Sequence, residues 1–262
     1  MINSIYKGLI AENQKVKGSF TFWFTILGSI LIPFVFFLVY FFRHQSFIPE
    51  EGINPWIEFT QNNLQAIAFL LFPLHIILTI AINLNIEHKE NSWKKLFVLP
   101  IKRESIFLSK LLFLLFQVFV SLLLFSLSIL FFGGVLGLTY KELNFLEYTP
   151  DIFSFGKLII RLFIAILGIF SIQYVLSLFL KNIIIPISLG VFLTIVASLI
   201  SKGWQYSIYF PYSFPIWFFV NSTHLSKIDT YYGLTISEIT SFAIFSIINL
   251  IGIIMFKSKK IK

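Results

Sequence analysis

The sequence predicts an all-α polytopic membrane protein, and three observations carry that reading. The chain has 262 residues, 57% of them hydrophobic and only 12% charged, with a mean hydropathy of +0.88; soluble domains carry about 25% charged residues. The apolar residues gather into continuous runs, and crossing ~30 Å of hydrocarbon takes about 20 residues at ~1.5 Å each. The Lys and Arg residues fall unevenly between those runs. The runs do not alternate in polarity as barrel strands do.

Six runs qualify, at about 20–42, 64–86, 106–132, 158–180, 183–200 and 235–256. The third is interrupted only by Lys110 near its start. The stretch 158–200 is too long for one span; Lys181-Asn182 divides it, and Pro186 falls in the first turn of the second part, where proline is tolerated. Arg161 lies near enough to the start of the fourth run to snorkel outward. Pro33 and Pro73 are expected to kink their helices. The first run is longer than a signal-peptide core and lacks a small-residue cleavage site after it, so it reads as a retained span. Residues 1–262 therefore read as a single transmembrane domain.

Orientation follows from the basic residues of short loops, which stay in the cytoplasm. The side holding both termini, the second loop and the fourth turn has fourteen basic and four acidic residues; the other has six basic and eight acidic. The prediction is N-in and C-in, in agreement with an even number of spans. The net charge of +8 is thus accounted for by membrane topology, and no nucleic-acid partner is expected.

Three segments outside the spans carry information. In 1–19, Ile2, Ile5, Tyr6, Leu9 and Ile10 fall on one helical face, which predicts an amphipathic helix in the inner interface in contact with membrane lipids. In the cytosolic loop 87–105, Trp93, Leu96, Phe97 and Leu99 are mixed with charges before Pro100. A short amphipathic helix over Asn91–Leu99 is expected, able to dock on another protein or to rest on the bilayer. The loop 202–234 is unusually apolar, with Tyr209, Pro211, Pro215 and Trp217 at its centre. Its prolines argue against one straight span, and its clustered aromatics favour a re-entrant segment over an ordinary interfacial belt.

Much chemistry is excluded. Cysteine is absent, so there is no disulfide framework and no thiolate metal site. The four histidines are scattered, and no metal site is expected. No phosphate-binding G-x-x-x-x-G-K-[ST] loop occurs, nor a G-x-S-x-G nucleophile elbow. No acid lies centrally in a span, where a proton-driven carrier usually needs one. His75, Asn83, Gln117, Gln173 and Asn249 are the polar groups at depth, expected to bond between helices; His75, beside Pro73, is the candidate for substrate contact. Gly133 and Gly137 make a small-residue pair suited to close packing.

This architecture resembles the membrane subunit of an ABC-2 type transporter. The similarity is sharpest from Glu87 to Lys110, where Glu87, Trp93, Lys94, Leu96, Pro100, Arg103, Ser109 and Lys110 match the pattern E-x5-W-K-x-L-x3-P-x2-R-x5-S-K of that family's first cytosolic loop. With the Phe-Pro-Leu stretch at Phe72–Leu74, the chain looks most like the lantibiotic-immunity permease branch. The resemblance implies a non-enzymatic subunit of an exporter in the bacterial cytoplasmic membrane. It implies two such permeases, identical or sister chains, over two separate ABC ATPase subunits that hold the ATP and Mg. It also implies that Asn91–Leu99 is a coupling helix. Trp93 and Leu96 become its apolar anchors, Lys94 and Lys95 its rim, and Glu87 and Arg103 its polar links to the span ends. The cargo implied is amphipathic, such as an antimicrobial peptide or a lipid-like compound. Two other readings compete: a non-transporting scaffold or sensor that docks a cytosolic partner through the same loop, and an intramembrane lipid enzyme, for which no clustered polar groups are evident.

Overall fold

The structure is a computed structural model that describes residues 2–89, 93, 98, 100–223 and 233–258. The regular elements among these residues are helical. They are α1 (Ile2–Val16), α2 (Phe20–Phe42), α3 (Pro55–Lys89), α4 (Arg103–Thr139), α5 (Ile152–Phe179), α6 (Ile184–Ile200), α7 (Phe214–Thr223) and α8 (Ile236–Ser258). Single 3₁₀ turns at His44–Phe47, Lys141–Leu143, Gln205–Tyr209 and Pro211–Ser213 join them. Five helices (α2, α3, α4, α5 and α8) are long and apolar enough to cross a membrane. The expected fifth span corresponds to α6, which has 17 residues, at the lower bound of spanning length.

Several helices outrun the apolar windows that predicted them. The clearest case is α3, which starts at Pro55 instead of Leu64. Asn54 caps it by accepting from the Trp56 amide at 3.0 Å, and Pro55 occupies the first turn, where a missing N–H costs nothing. Its first three turns bury Trp56 and Phe59 while exposing Glu58 and Gln61. Such an amphipathic extension depresses mean hydropathy without interrupting the helix. Farther along, Ile67–Leu71 winds as a π-helical turn, with the Phe72 amide bonding back to the Ile67 carbonyl. This wide turn immediately precedes Pro73, whose missing amide would otherwise leave a gap in the α-helical ladder.

Contacts group the helix ends. Lys15, Glu87 and Lys110 meet, the His88 Nε2 donates to the Ser177 carbonyl at 3.0 Å, and Glu104 pairs with Lys257. The end of α1, the ends of α3, α5 and α8 and the start of α4 therefore share one end of the bundle. At the other end Tyr40 packs on Phe59, Trp56 reaches Phe145 and Tyr148, and Arg161 meets Glu238. Helices α5 and α8 run side by side in the same direction. The Ser241 hydroxyl bonds the α5 backbone near Gly168, and Gly252 brings α8 close against Val175 and Phe107. Small residues at such seams let helices approach where water supplies no hydrophobic driving force.

After α6 the chain turns inward. Tyr212 is buried and accepts from Gln173 Nε2 at 2.7 Å. Gln173 in turn lies against Gly190, where no side chain stands in its way. The turn at Pro211–Ser213 then launches α7, which passes Gly168 with Phe214 and Arg161 with Phe218. Of the residues singled out in this segment, Tyr209 is exposed, Pro211 half-buried and Pro215 buried; Trp217 is half-buried and donates to Ser207 Oγ at 3.1 Å.

The structure corrects the expectation that Arg161 snorkels. Its guanidinium turns inward and forks onto Glu238, with Nε at 2.8 Å from Oε1 and Nη2 at 3.1 Å from Oε2. Glu238 is fully buried and also accepts from the Thr235 hydroxyl at 2.8 Å. A planar bidentate pair satisfies both charges inside the bundle, which removes the reason to reach for water.

Candidate functional site

The candidate site lies at the end of the bundle where the 87–105 loop begins and ends. Helix α1 sends a stripe of small and polar residues, Ser4, Gly8, Glu12 and Lys15, against the start of α4. The Ser4 and Ser105 hydroxyls lie 3.4 Å apart. A side chain at Gly8 would collide with Ser109, so glycine permits the close approach. Tyr6 and Ile10, from the apolar face read in the sequence, stay exposed. In water that would be inverted packing; it suits a helix whose outer face rests in lipid.

Just past Ser109, the Lys110 ammonium is buried, with 2% of its side chain exposed, and pairs with both Glu12 and Glu87. Lys15 closes the ring by pairing with the same two carboxylates. Two acids and two bases from α1, α3 and α4 thus neutralise one another in a partly buried position. Burial alone would raise the Glu12 carboxyl, but Lys110 and Lys15 more than offset it and hold it below its ordinary value of 4.5. Burial would lower the Lys15 ammonium, but Glu87 and Glu12 hold it above its ordinary 10.5.

Trp93 ties this cluster to the loop. It is buried, donates from Nε1 to His88 Nδ1 at 3.1 Å, packs edge-on against Phe256 of α8 and lies under the Lys110 ammonium at 5.5 Å. Since His88 accepts at Nδ1 and donates at Nε2, these partners fix its neutral tautomer. Trp93 thus points into its own chain, while Val98 is 83% exposed. The remainder of the expected coupling helix, including Lys94, Lys95 and Leu96, lies outside the described residues. Pro100 is exposed at the following bend. Arg103 donates from Nη1 to the Lys257 carbonyl at 2.7 Å, joining the far end of the loop to the end of α8.

A polar seam leads from the cluster into the bundle. On α3, His75, Thr79, Asn83 and Glu87 repeat every fourth residue and are all buried. On α2, Thr21, Thr25 and Ser29 repeat in the same way, with Thr25 and Ser29 bonding back to their own helix at 2.8 and 2.6 Å. Helix α4 supplies Lys110, Gln117 and Ser121. Asn83 donates to Gln117 at 3.1 Å, and Gln117 to the Thr25 hydroxyl at 2.6 Å. His75 Nε2 lies 3.1 Å from Ser121 Oγ, whose own proton goes to the Gln117 carbonyl. The imidazole stacks on Phe24 and fits because Gly28 faces it.

Three of the five polar residues expected at depth therefore come together. Gln173 bonds elsewhere, to Tyr212, and Asn249 bonds to the Phe245 carbonyl of its own helix at 2.8 Å. Sequence reasoning missed Glu12, Lys15 and Glu238. The four-residue spacing Ser4-Gly8-Glu12 was the available signal for the α1 face, and Thr21-Thr25-Ser29 the signal for the seam. No group of acids and histidines suited to a metal ion occurs among the described residues.

Residues 9–197 match the family described as ABC-2 family transporter protein. No curated protein and no solved structure matches the chain.

Proposed function

Because the chain belongs to the ABC-2 transporter family, we propose that it is the permease subunit of an ABC exporter, driven by separate ATPase subunits that dock on the 87–105 loop. The family match carries this reading, since it runs from α1 through the loop and most of α6. The arrangement around the loop supports it. Force applied there reaches α3 through His88 and Glu87, α4 through Lys110, α8 through Phe256, and α1 through the shared carboxylates. Trp93 works as a positioning residue that holds the root of the loop. Lys94, Lys95 and Leu96 provide the face that meets the ATPase, with apolar contact at its centre and charge at its rim. Glu87 and Arg103 fasten the two ends of the loop.

In this reading the chain makes six spans with both termini inside, in the bacterial cytoplasmic membrane. The hairpin that turns at Tyr212 and returns along α7 is a re-entrant element. A second copy or a sister permease completes the pathway, and ATP and Mg bind on the ATPase. The polar seam lets α2 shift against α3 and α4, because its hydroxyls can exchange a carbonyl of their own helix for a neighbouring side chain at little cost. The cargo is amphipathic, an antimicrobial peptide or a lipid-like molecule.

The test is purification of the tagged chain in mild detergent from its native host, with mass spectrometry of the associated proteins. The expected result is a stoichiometric subunit with a phosphate-binding loop, lost in the Trp93→Ala, Leu96→Ala double variant while the chain stays monodisperse. A chain that purifies without an ATPase across several detergents would instead favour a scaffold that docks another partner.

A further inference from the structure

At the end of the bundle opposite the 87–105 loop lies a cavity of about 480 Å³, within the range of small-ligand sites, about 300–1,000 Å³. Its walls come from the start of α3, the outer part of α4, the start of α5 and the end of α7. Trp56, Leu64, Leu130, Phe155 and Phe219 make an apolar interior; Gln61, Asp151 and Ser154 stand among its polar groups. Among the described residues, Asp151 is the one ionisable group that lines it.

The walls are fixed before any ligand arrives. Trp56 Nε1 donates to the Phe145 and Tyr148 carbonyls at 2.9 and 3.1 Å. Its ring occupies the space left by Gly133, where a side chain would collide with it. Phe219 packs edge-on against Phe69 in the π-helical turn of α3. Asp151 caps α5 by accepting from the Ser154 amide at 3.0 Å, and the hydrogen bonds from Ser154 hold its carboxyl below its ordinary 3.8. Asp151 is exposed, so its carboxylate stays open to a further partner. A pocket with rigid walls loses little entropy when it fills.

We propose that this cavity binds a small amphipathic cation, an alkyl chain bearing one protonated amine, with the chain against Trp56, Leu130 and Phe155 and the amine at Asp151. The charge decides the class: the described lining offers one carboxylate and no base, so an anionic head would meet repulsion, while a neutral one would find hydrogen bonds at groups such as Gln61 but leave the carboxylate without a counter-charge. The site stands without reference to transport. That its ligand is cargo rests on the permease reading.

The purified full chain, with whatever subunits accompany it, is placed in phosphatidylcholine nanodiscs at pH 7. It is labelled with a diazirine-bearing dodecylamine or, in parallel, with the matching dodecanol, and the labelled peptides are mapped. The amine is expected to concentrate on the segments around Trp56 and Phe155, whereas the alcohol spreads over the lipid-facing helices. Asp151→Asn preserves the cap, because an amide oxygen accepts the same hydrogen bond. It should reduce amine labelling there roughly fivefold, the upper end for a solvent-accessible charge pair, and leave the alcohol pattern unchanged. Ser154→Trp, which fills the cavity from an exposed position, should reduce it by a similar factor. Amine labelling that follows the alcohol pattern, or that is indifferent to both variants, overturns the site. ATPase co-purification with Asp151→Asn is read separately. Its loss from every variant and the wild type alike would defeat the permease reading and leave the cavity assignment standing.

Discussion

The two ends of the bundle solve the same problem, a buried charge, in different ways. At one end Arg161 and Glu238 form a single bidentate pair between α5 and α8, with Glu238 fully buried and a further donor from Thr235. At the other end four groups, Glu12, Lys15, Glu87 and Lys110, share two-to-two contacts across three helices, and the α1 members Glu12 and Lys15 retain 15% and 24% side-chain exposure. A bidentate pair has one good geometry and holds two helices in one register. A ring of four charges has several arrangements of similar energy, because each base can lean on either acid. The first arrangement suits an end that must keep its shape. On the proposed permease reading, the second suits an end where α1 and the 87–105 loop would move together.

The largest effect is expected at the rigid pair. Arg161→Met leaves Glu238 buried without its partner and should cost about 3–5 kcal/mol, read as thermal unfolding in detergent. Replacing both members, Arg161→Met with Glu238→Gln, should recover much of that loss. Lys110→Met should cost less, about 2 kcal/mol, because Lys15 remains to neutralise the two carboxylates. Equal losses from Arg161→Met and Lys110→Met would erase the contrast. A smaller effect is expected in the seam. Gln117→Leu breaks hydrogen bonds to both α2 and α3, and inside a membrane protein each is worth about 0.6 kcal/mol.

The most graded test uses pH. The Glu12 carboxyl is lowered in the fold, so its contribution is complete above its ordinary 4.5 and lost as pH falls through the lower folded value. Lys15 is raised, so its contribution is complete below 10.5 and lost only as pH rises through the higher folded value. Docking of α1 should therefore be flat between about pH 5 and 10 and weaken on acidification below that range. An environment-sensitive dye on Gln14→Cys, an exposed position on α1 and a unique thiol in a chain without cysteine, reports it. A transition near neutral pH would contradict the assignment of Glu12.

The contrast also shows what a sequence exposes. The five long apolar helices were legible because lipid requires long apolar runs, and α2 begins and ends at the predicted residues. The start of α3 was not, because Pro55–Ala66 is amphipathic and averages to low hydropathy. Glu87 could be read from the loop pattern. Glu12 and Lys15 lie outside that pattern: the apolar periodicity of α1 marks its outer face, whereas the packed face is small and polar and carries only the weaker Ser4-Gly8-Glu12 spacing. Arg161 and Glu238 are 77 residues apart. Each alone looks like a charge near a membrane surface, and only the parallel packing of α5 and α8 brings them together. The 87–105 loop stood out by its resemblance, and the burial of Trp93 assigns that residue to the root of the loop.

The proposed function requires an ATPase to meet this chain at the 87–105 loop. The absence of native cysteine permits a direct measurement. A single thiol is placed at Val98, exposed within the loop, and in a second variant at Glu51, exposed at the opposite end of the bundle. Each is given the same short photoactivatable crosslinker in native membranes. Val98→Cys is expected to capture a subunit bearing a phosphate-binding loop, and Glu51→Cys is expected to capture none. Capture from Glu51→Cys, or from neither position, would contradict it.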